Sequence, residues 1–198
     1  MAIRVQVAGV GGHGVILVAR VLSQAAMDAG RHAVMSEVHG MSQKGGVVQS
    51  TLVIDGGDVP MVSAGKTDLL IASEAGEALR NGALVKRGGT LVLNKLTVVP
   101  PHMVTGHQAY LSVDFVTDWF LQHGVNVWLV DGLDIANTMH NPKVMNAAML
   151  GALAKSGALP FGFDGIKDAL IKVTKGRFTE TNVEAMQRGY ETVRRLGD

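Results

Sequence analysis

A glycine-rich segment near the N-terminus constrains the fold more than any other part of the chain. Residues 3–8 read IRVQVA, a strand pattern, and GVGGHG follows directly. From Val15 to Ala29 the apolar residues recur at helical spacing, and Gly30 provides a helix stop. The next segment, RHAVMSEV, predicts a second strand. A strand, a loop, a helix and a strand in this order are typical of a parallel crossover unit.

Strand and helix patterns continue to alternate beyond this unit. VVQSTLVI, DLLIAS, GGTLVLN and NVWLVDG predict strands. Helices are predicted for Glu74–Leu84, for the segment between Ser112 as N-cap and Gly124 as stop, and for Glu180–Leu196, with Asp164 capping a further helix. The pattern predicts an α/β fold: a doubly wound, mostly parallel Rossmann-like sheet with helices on both faces and one or two antiparallel strands.

The length and the low charge content bear on the organisation of the chain. At 198 residues it is long enough for one core and too short for two ordinary domains, so residues 1–198 are expected to form a single domain. Charged residues make up 18% of the chain, below the average of about 25%. This deficit predicts a buried subunit interface. The small-residue helix at Asn141–Ser156 suits either a tightly packed position or that interface.

Several partner classes are not expected from the sequence. The net charge is +1 without a basic run, so nucleic acid is not an expected partner. No apolar stretch is long enough to cross a bilayer and the N-terminus lacks signal-peptide anatomy, so we expect no membrane association and a cytoplasmic location. The chain has no cysteine, which excludes thiolate-held iron–sulfur clusters and zinc sites from it. Any electrons in its reaction must travel through another chain.

The glycine segment fits the pattern G-x-G-x-x-G at Gly9, Gly11 and Gly14, with Gly12 as an extra glycine. In a loop between a strand and a helix, such glycines expose backbone N–H groups to an anion. Glu37 follows 23 residues after Gly14, near where an acid would bind a ribose. A nicotinamide- or flavin-dependent enzyme, or a nucleotide-sensing module, is therefore one hypothesis. A tight turn without any ligand is the other.

Other kinds of site have weak support. His13 lies in the glycine loop, where it could donate to a phosphate or to a partner group. His13 and His39 lack a third histidine or a cysteine in a close pattern, so no metal site is predicted. The chain contains no G-x-S-x-G, H-E-x-x-H or G-x-x-x-x-G-K-[ST] motif. We interpret VDGLDIAN as a strand end followed by a helix capped by Asp131 or Asp134.

Four blocks resemble one family along nearly the whole chain: GVGGHGVILVARVLSQAAMDAG, SEVHGMSQKGG, ASEAGEALR and NPKVMNAAMLGAL. The chain resembles the small (beta) subunit of indolepyruvate ferredoxin oxidoreductase, the gamma-type domain of the 2-oxoacid:ferredoxin oxidoreductases. The second block is close to the family pattern S-E-V-H-G-M-[AS]-Q-R-G-G. The family usually has glutamine in place of His13 and arginine in place of Lys44. Lysine keeps the charge of arginine but not its bidentate geometry.

This resemblance implies the oxidative decarboxylation of an aryl 2-oxoacid, with coenzyme A and ferredoxin as co-substrates. It places thiamine diphosphate and the iron–sulfur clusters on the large (alpha) subunit, which agrees with the absence of cysteine here. The chain itself would hold no cofactor alone, although coenzyme A could bind at its loop pocket. It would be inactive without the large subunit, and ferredoxin would be reached only through the complex.

The resemblance also directs attention to Ser36–Gly46, the segment SEVHGMSQKGG. It follows the second strand at the carboxyl edge of the sheet and should lie beside the Gly9–Gly14 loop. Lys44 and the neighbouring glycine amides could bind a coenzyme A phosphate or groups of the thiamine site, and Met41 could pack on a ligand ring. In the alternative, purely structural interpretation, the polar side chains satisfy loop backbone and Met41 is core.

No residue is predicted to be catalytic by itself. The predicted ligand or partner residues are Gly9, Gly11, Gly12, His13, Gly14, Ser36, Glu37, His39, Met41, Gln43, Lys44, Gly45 and Gly46. Glu37 and His39 would orient this surface. A plain scaffold role is a third hypothesis for the chain, and it predicts that Lys44 and His39 can be replaced without effect on an assembled enzyme.

Overall fold

Strands and helices alternate along most of the chain in the computed structural model, which describes residues 2–39, 45–99 and 110–197. The strands are β1 (Ile3–Val10), β2 (Ala33–His39), β3 (Val47–Ile54), β4 (Thr67–Ala72), β5 (Val85–Asn94), β6 (Asn126–Val130) and β7 (Arg194–Leu196). The α-helices are α1 (Val15–Asp28), α2 (Ala75–Arg80), α3 (Val113–Gln122), α4 (Gly132–Thr138), α5 (Met145–Ser156), α6 (Gly162–Val173) and α7 (Thr179–Thr192).

The seven described strands form one sheet in the order β2-β3-β1-β4-β5-β6-β7. Strands β1, β4, β5 and β6 are parallel neighbours, whereas β3 and β7 run antiparallel to the strands beside them. The predicted α/β sheet with one or two antiparallel strands is therefore confirmed. Strand β2 runs in the direction of β1 but does not pair with it, because β3 is inserted between the two.

Helices cover both faces of the sheet. Alternate residues of the central strands, including Val5, Leu69 and Val92, pack in one core with residues of α1, α5, α6 and α7. The residues between them, such as Leu70 and Leu91, pack in a second core with α2 and α3. Each strand thus supplies apolar side chains to two layers, because successive side chains of a strand point to opposite faces.

Helix α5 packs backbone to backbone against α7 of the same chain. A Cβ atom on Gly151 would lie 2.8 Å from the amide nitrogen of Tyr190, and one on Gly189 would lie 2.6 Å from the carbonyl carbon of Ala148. Residues 147–153 of α5 are all buried within the chain. The prediction of a tightly packed helix is confirmed, but the prediction that its small residues form a subunit interface is wrong, because α7 already covers them.

Some predicted helix ends are confirmed, and others are wrong. The helix predicted for Glu74–Leu84 ends at Arg80 as α2, and the one predicted for Asn141–Ser156 begins at Met145 as α5. Ser112 Oγ accepts a hydrogen bond from the Phe115 N–H (3.1 Å) at the start of α3, and Asp131 caps α4. Asp164 does not cap α6, which begins at Gly162; its carboxylate instead pairs with Lys167 at 2.6 Å. The last helix ends at Thr192 because the following residues form strand β7. This strand pairs with β6 and provides hydrogen-bond partners for the backbone groups at the outer edge of β6.

None of the helices in the described ranges has both the length and the apolar character needed to cross a bilayer.

Candidate functional site

Two loops meet at the carboxyl edge of the sheet. The Gly11 N–H donates to the Gly46 carbonyl (2.7 Å), and the Gly45 N–H donates to the Gly11 carbonyl (3.1 Å). These bonds join the loop after β1 to the turn that connects β2 and β3. The structure therefore brings the glycine loop beside the end of the Ser36–Gly46 segment. Met41, Gln43 and Lys44 lie outside the described residues, as does the side chain of His39.

The glycines of the first loop are required for different reasons. Gly9 lies against Ser73, since a Cβ atom on Gly9 would be 2.8 Å from the Ser73 Cβ and closer still to its hydroxyl. Gly14 has a positive φ of 71° and lies against the Asn146 amide. Gly12 has a φ of 98° with open space around it. Close packing explains the first two glycines, and backbone conformation alone explains the third.

A shallow cleft of about 270 Å³ opens beside this loop. Its lining residues are Val10, Gly11, Gly12, Gly14, Val15, Ile16 and Val48. Helix α1 begins here without a side-chain cap, so the N–H groups of its first turn face the loop region without a side-chain acceptor. The cleft combines glycine backbone with an apolar wall, an arrangement that suits a ligand with both polar and apolar parts.

The sheet also has a topological switch point at this edge. The chain leaves β1 for α1 on one face, and it leaves the adjacent β4 for α2 on the other face. Ligands of open α/β sheets bind in the crevice that such a divergence creates. His13 and Ser73 lie there, with the Ser73 Oγ 3.5 Å from the His13 Nδ1. Burial lowers the pKa of His13, which the Glu74 carboxylate partly opposes, so the imidazole is neutral near pH 7.

Two polar residues around this crevice, Asn94 and Glu74, were not predicted as site residues from the sequence. Asn94 is 1% exposed; its amide donates to the Ser73 carbonyl (3.2 Å) and its carbonyl oxygen accepts from the Gly132 N–H (2.9 Å). Glu74 caps α2 by accepting from the Gly76 and Glu77 N–H groups. Both residues end buried strand patterns, and a polar residue at such a position is the signal that could have found them. These bonds fix the ends of β4 and β5 and the start of α4.

A buried acid lies next to this cap. Glu77 is almost completely buried, and desolvation raises its pKa although Arg80 pairs with it at 3.1 Å. One of its carboxylate oxygens has no hydrogen-bond partner among the described residues. Tyr110 packs over the same turn, with its ring 3.2 Å from the position of a Cβ on Gly76. Water is largely excluded from this part of the site. A substitution that leaves a charged group unpaired there would therefore lower the stability of the fold.

The acidic residue required by the nucleotide-binding hypothesis is poorly placed. Glu37 lies on β2, and β3 separates β2 from β1, which puts the two strands about 10 Å apart. The Glu37 carboxylate forms an ion pair with Arg20 of α1 at 3.5 Å. Ser36 on the opposite face of β2 donates to the Pro60 carbonyl (3.2 Å). The nicotinamide or flavin alternative is therefore not favoured, because its ribose-binding acid is not beside the glycine loop.

Within residues 2–39, 45–99 and 110–197, no group of three histidine, aspartate or glutamate side chains is arranged to hold a metal ion.

The chain is similar over nearly its whole length to proteins of one oxidoreductase family. The family model described as pyruvate ferredoxin/flavodoxin oxidoreductase matches residues 4–192. Proteins named indolepyruvate oxidoreductase subunit IorB from four organisms are 26–30% identical to the chain. The one from Archaeoglobus fulgidus is 29% identical over 190 residues, which cover 96% of this chain and 94% of that protein.

Solved structures show the same fold. The gamma subunit of a keto/oxoacid ferredoxin oxidoreductase from Geobacter sulfurreducens matches with a TM-score of 0.67 and 22% identity, covering 96% of both chains. The 2-oxoglutarate:ferredoxin oxidoreductase from Magnetococcus marinus, solved with 2-oxoglutarate, coenzyme A and succinyl-CoA bound, matches with a TM-score of 0.71 and 20% identity. The match covers 96% of this chain but 30% of that one, so the same fold also occurs within a much longer polypeptide.

Proposed function

The chain belongs to the pyruvate ferredoxin/flavodoxin oxidoreductase family, and we propose that it is the small subunit of an enzyme that oxidises an aryl 2-oxoacid, with indolepyruvate as the substrate. The observation that carries this proposal is the full-length similarity to the IorB subunits, which match almost from end to end. The family resemblance predicted from the four sequence blocks is confirmed by the same comparisons.

In the proposed reaction, a 2-oxoacid and coenzyme A give an acyl-CoA and carbon dioxide. The carbon–carbon bond to the carboxylate and the S–H bond of coenzyme A break, and a carbon–sulfur bond forms. Two electrons reduce two one-electron ferredoxins, and one proton is released to solvent. Thiamine diphosphate, when bound on a large alpha subunit, supplies the stabilisation of the carbanion that decarboxylation requires. We assign the iron–sulfur clusters to the large subunit as well, because this chain has no cysteine to ligate them.

The role proposed for this chain is to complete a pocket at the interface with the large subunit. The first-turn N–H groups of α1, which have no side-chain cap, lie beside the joined loops and the apolar wall at Val48. These features fit coenzyme A, which has phosphates at one end and a long, weakly polar arm. We propose that Lys44 contributes a positive charge to its phosphates, and that Met41 and His39 face the ligand or the large subunit. We expect the complex to work in the cytoplasm.

Reconstitution tests the assignment. This chain and a large subunit that contains thiamine diphosphate and iron–sulfur clusters are purified separately and mixed, and ferredoxin reduction is followed with indolepyruvate and coenzyme A. We expect turnover only from the mixture. Substantial turnover by this chain alone, or none by the assembled complex with any aryl 2-oxoacid, would contradict the proposal. Comparing kcat/KM for indolepyruvate, 2-oxoglutarate and pyruvate in the same complex identifies the substrate.

Variants of the second loop test the pocket. Lys44→Ala should raise the KM for coenzyme A about 10- to 100-fold, since a charge-assisted bond to phosphate contributes about 1.5–3 kcal/mol. Lys44→Arg, which keeps the charge, should restore most of the affinity. Lys66→Ala is the matched control, because Lys66 precedes β4 and therefore lies at the opposite edge of the sheet. Equal KM values for Lys44→Ala and the wild type would favour the scaffold hypothesis instead.

A further inference from the structure

One buried hydroxyl at the crevice between β1 and β4 needs an acceptor for its proton. Ser73 is 6% exposed, and its backbone bonds to Ala8 and to the Asn94 side chain. Its Oγ lies 3.5 Å from the His13 Nδ1, and within residues 2–39, 45–99 and 110–197 the hydroxyl makes no other hydrogen bond. Buried hydroxyl groups are hydrogen-bonded. The contact with His13, at the long limit of a hydrogen bond, is thus the one that these ranges offer to the Ser73 proton.

Only one state of the His13 ring offers the required acceptor. With the hydrogen on Nε2, the Nδ1 lone pair accepts from the Ser73 hydroxyl and both groups are satisfied. With the hydrogen on Nδ1, the ring becomes the donor, and the Ser73 proton is left without a partner among the residues that the structure describes. A charged imidazolium carries hydrogens on both nitrogens and also removes the acceptor. Desolvation, which lowers the pKa of His13 against the opposing effect of Glu74, already disfavours that charged form.

We propose that Ser73 is a positioning residue, which holds His13 in the tautomer with hydrogen on Nε2 so that His13 presents an N–H donor to an oxygen of the bound ligand. The inference rests on the proposed function, in which an anionic ligand lies at this edge. A carboxylate or phosphate oxygen is the acceptor class that such a donor recognises. Ser73 does not touch the ligand, and its effect passes through the imidazole.

The tautomer can be measured directly in the full chain. Long-range proton–nitrogen NMR on a ¹⁵N-labelled sample distinguishes the two ring nitrogens of His13. We expect the hydrogen on Nε2 in the wild type, and a several-fold larger population with hydrogen on Nδ1 in Ser73→Ala. Ser156→Ala, which removes a hydroxyl bonded to the Leu153 carbonyl at the other end of α5, is the control and should leave the His13 signals unchanged. A wild-type ring with hydrogen on Nδ1 overturns the proposal, as does an unchanged tautomer in Ser73→Ala.

Kinetics of the assembled complex test the ligand contact. Ser73→Ala should raise the KM for either the 2-oxoacid or coenzyme A about 2- to 10-fold, the loss expected for one neutral hydrogen bond, with kcat within about twofold of the wild type. His13→Leu should lose at least as much, whereas His13→Gln, which retains an N–H donor, should stay within about threefold. Unchanged KM values for both substrates in Ser73→Ala and His13→Leu would refute the ligand contact. Inactivity of the wild-type complex would instead refute the proposed function, and the NMR result would still decide the tautomer.

Discussion

Replacing Gly151 by alanine tests the close packing of α5 against α7. A Cβ atom at this position would lie 2.8 Å from both the Met186 carbonyl carbon and the Tyr190 amide nitrogen, and closer to the Met186 carbonyl oxygen. Real Cβ atoms essentially never approach other atoms within 3.0 Å. The obstacle is the backbone of a helix, which cannot rotate away as a side chain can. The two helices must therefore move apart.

The free-energy cost of Gly151→Ala depends on how far α5 and α7 must move apart. A shift of roughly 1 Å forfeits a quarter to a half of the dispersion energy of the atoms that lose contact. The side chains beside this contact, among them Leu150, Leu153 and Met186, are fully buried. Overpacking a core typically costs about 1–3 kcal/mol and occasionally more. Because backbone meets backbone here, we expect Gly151→Ala to lower the free energy of unfolding by about 3 kcal/mol or more.

Thermal unfolding of the purified chain, followed by far-ultraviolet circular dichroism, measures this effect. For a chain of this size a loss of about 3 kcal/mol lowers Tm by about 6–12 °C. Gly165→Ala in α6 is the matched control, since its nearest obstacle is the Phe161 Cβ at 3.3 Å. Alanine there gains helix propensity, so its stability should stay within about 1 kcal/mol of the wild type.

A double variant sharpens the test. Gly189→Ala meets the Ala148 backbone from the other side of the same crossing, so either substitution alone already forces the helices apart. We expect the loss in Gly151→Ala/Gly189→Ala to be clearly smaller than the sum of the two single losses. A Tm of Gly151→Ala within about 2 °C of the wild type, which is about 1 kcal/mol or less, would refute the packing described for these helices.

Three further predictions concern the carboxyl edge of the sheet. Asn94→Ala should lower the free energy of unfolding by about 2–4 kcal/mol, since it leaves the buried Gly132 N–H without its acceptor; urea titration measures this loss. Glu77 has a raised pKa in the folded chain, so its contribution to stability is fully present below the ordinary glutamate pKa and is lost as pH rises through the raised value. Glu77→Gln should therefore become more stable relative to the wild type from about pH 4.5 upward, and a difference in Tm that does not change with pH would contradict this. Gly9→Ala should displace the Ser73 side chain and raise a substrate KM in the assembled complex, which steady-state kinetics would detect.

The sequence predicted helix starts and stops well where the residues that set them lie within a few positions of one another. Helix α1 begins after the glycine loop and ends at Asp28, two residues before the stop residue Gly30, where φ is 70°, as its spacing predicted. The cap at Ser112 formed as predicted because a hydroxyl three residues before an N–H needs no help from the rest of the chain. Asp164 had the same kind of signal, but α6 starts earlier and its carboxylate pairs with Lys167.

The candidate site was predicted only in part. The expectation that the glycine loop lies beside the Ser36–Gly46 segment rested on both following strands of the same direction, and the bonds between Gly11 and Gly46 agree with it. The partnership of His13 with Ser73 could not be predicted, because 60 residues separate them. The roles of Lys44, Met41 and Gln43 remain predictions.

The sequence by itself determined the α/β class, the glycine loop and the family resemblance, because each depends on residue type and short-range spacing. Tertiary structure alone decided that β3 separates β2 from β1, which removes Glu37 from the glycine loop. It also decided that α5 packs on α7 rather than on another subunit. Strand order and helix partners depend on which apolar faces cover one another, and that competition between distant segments is settled only when the whole core packs.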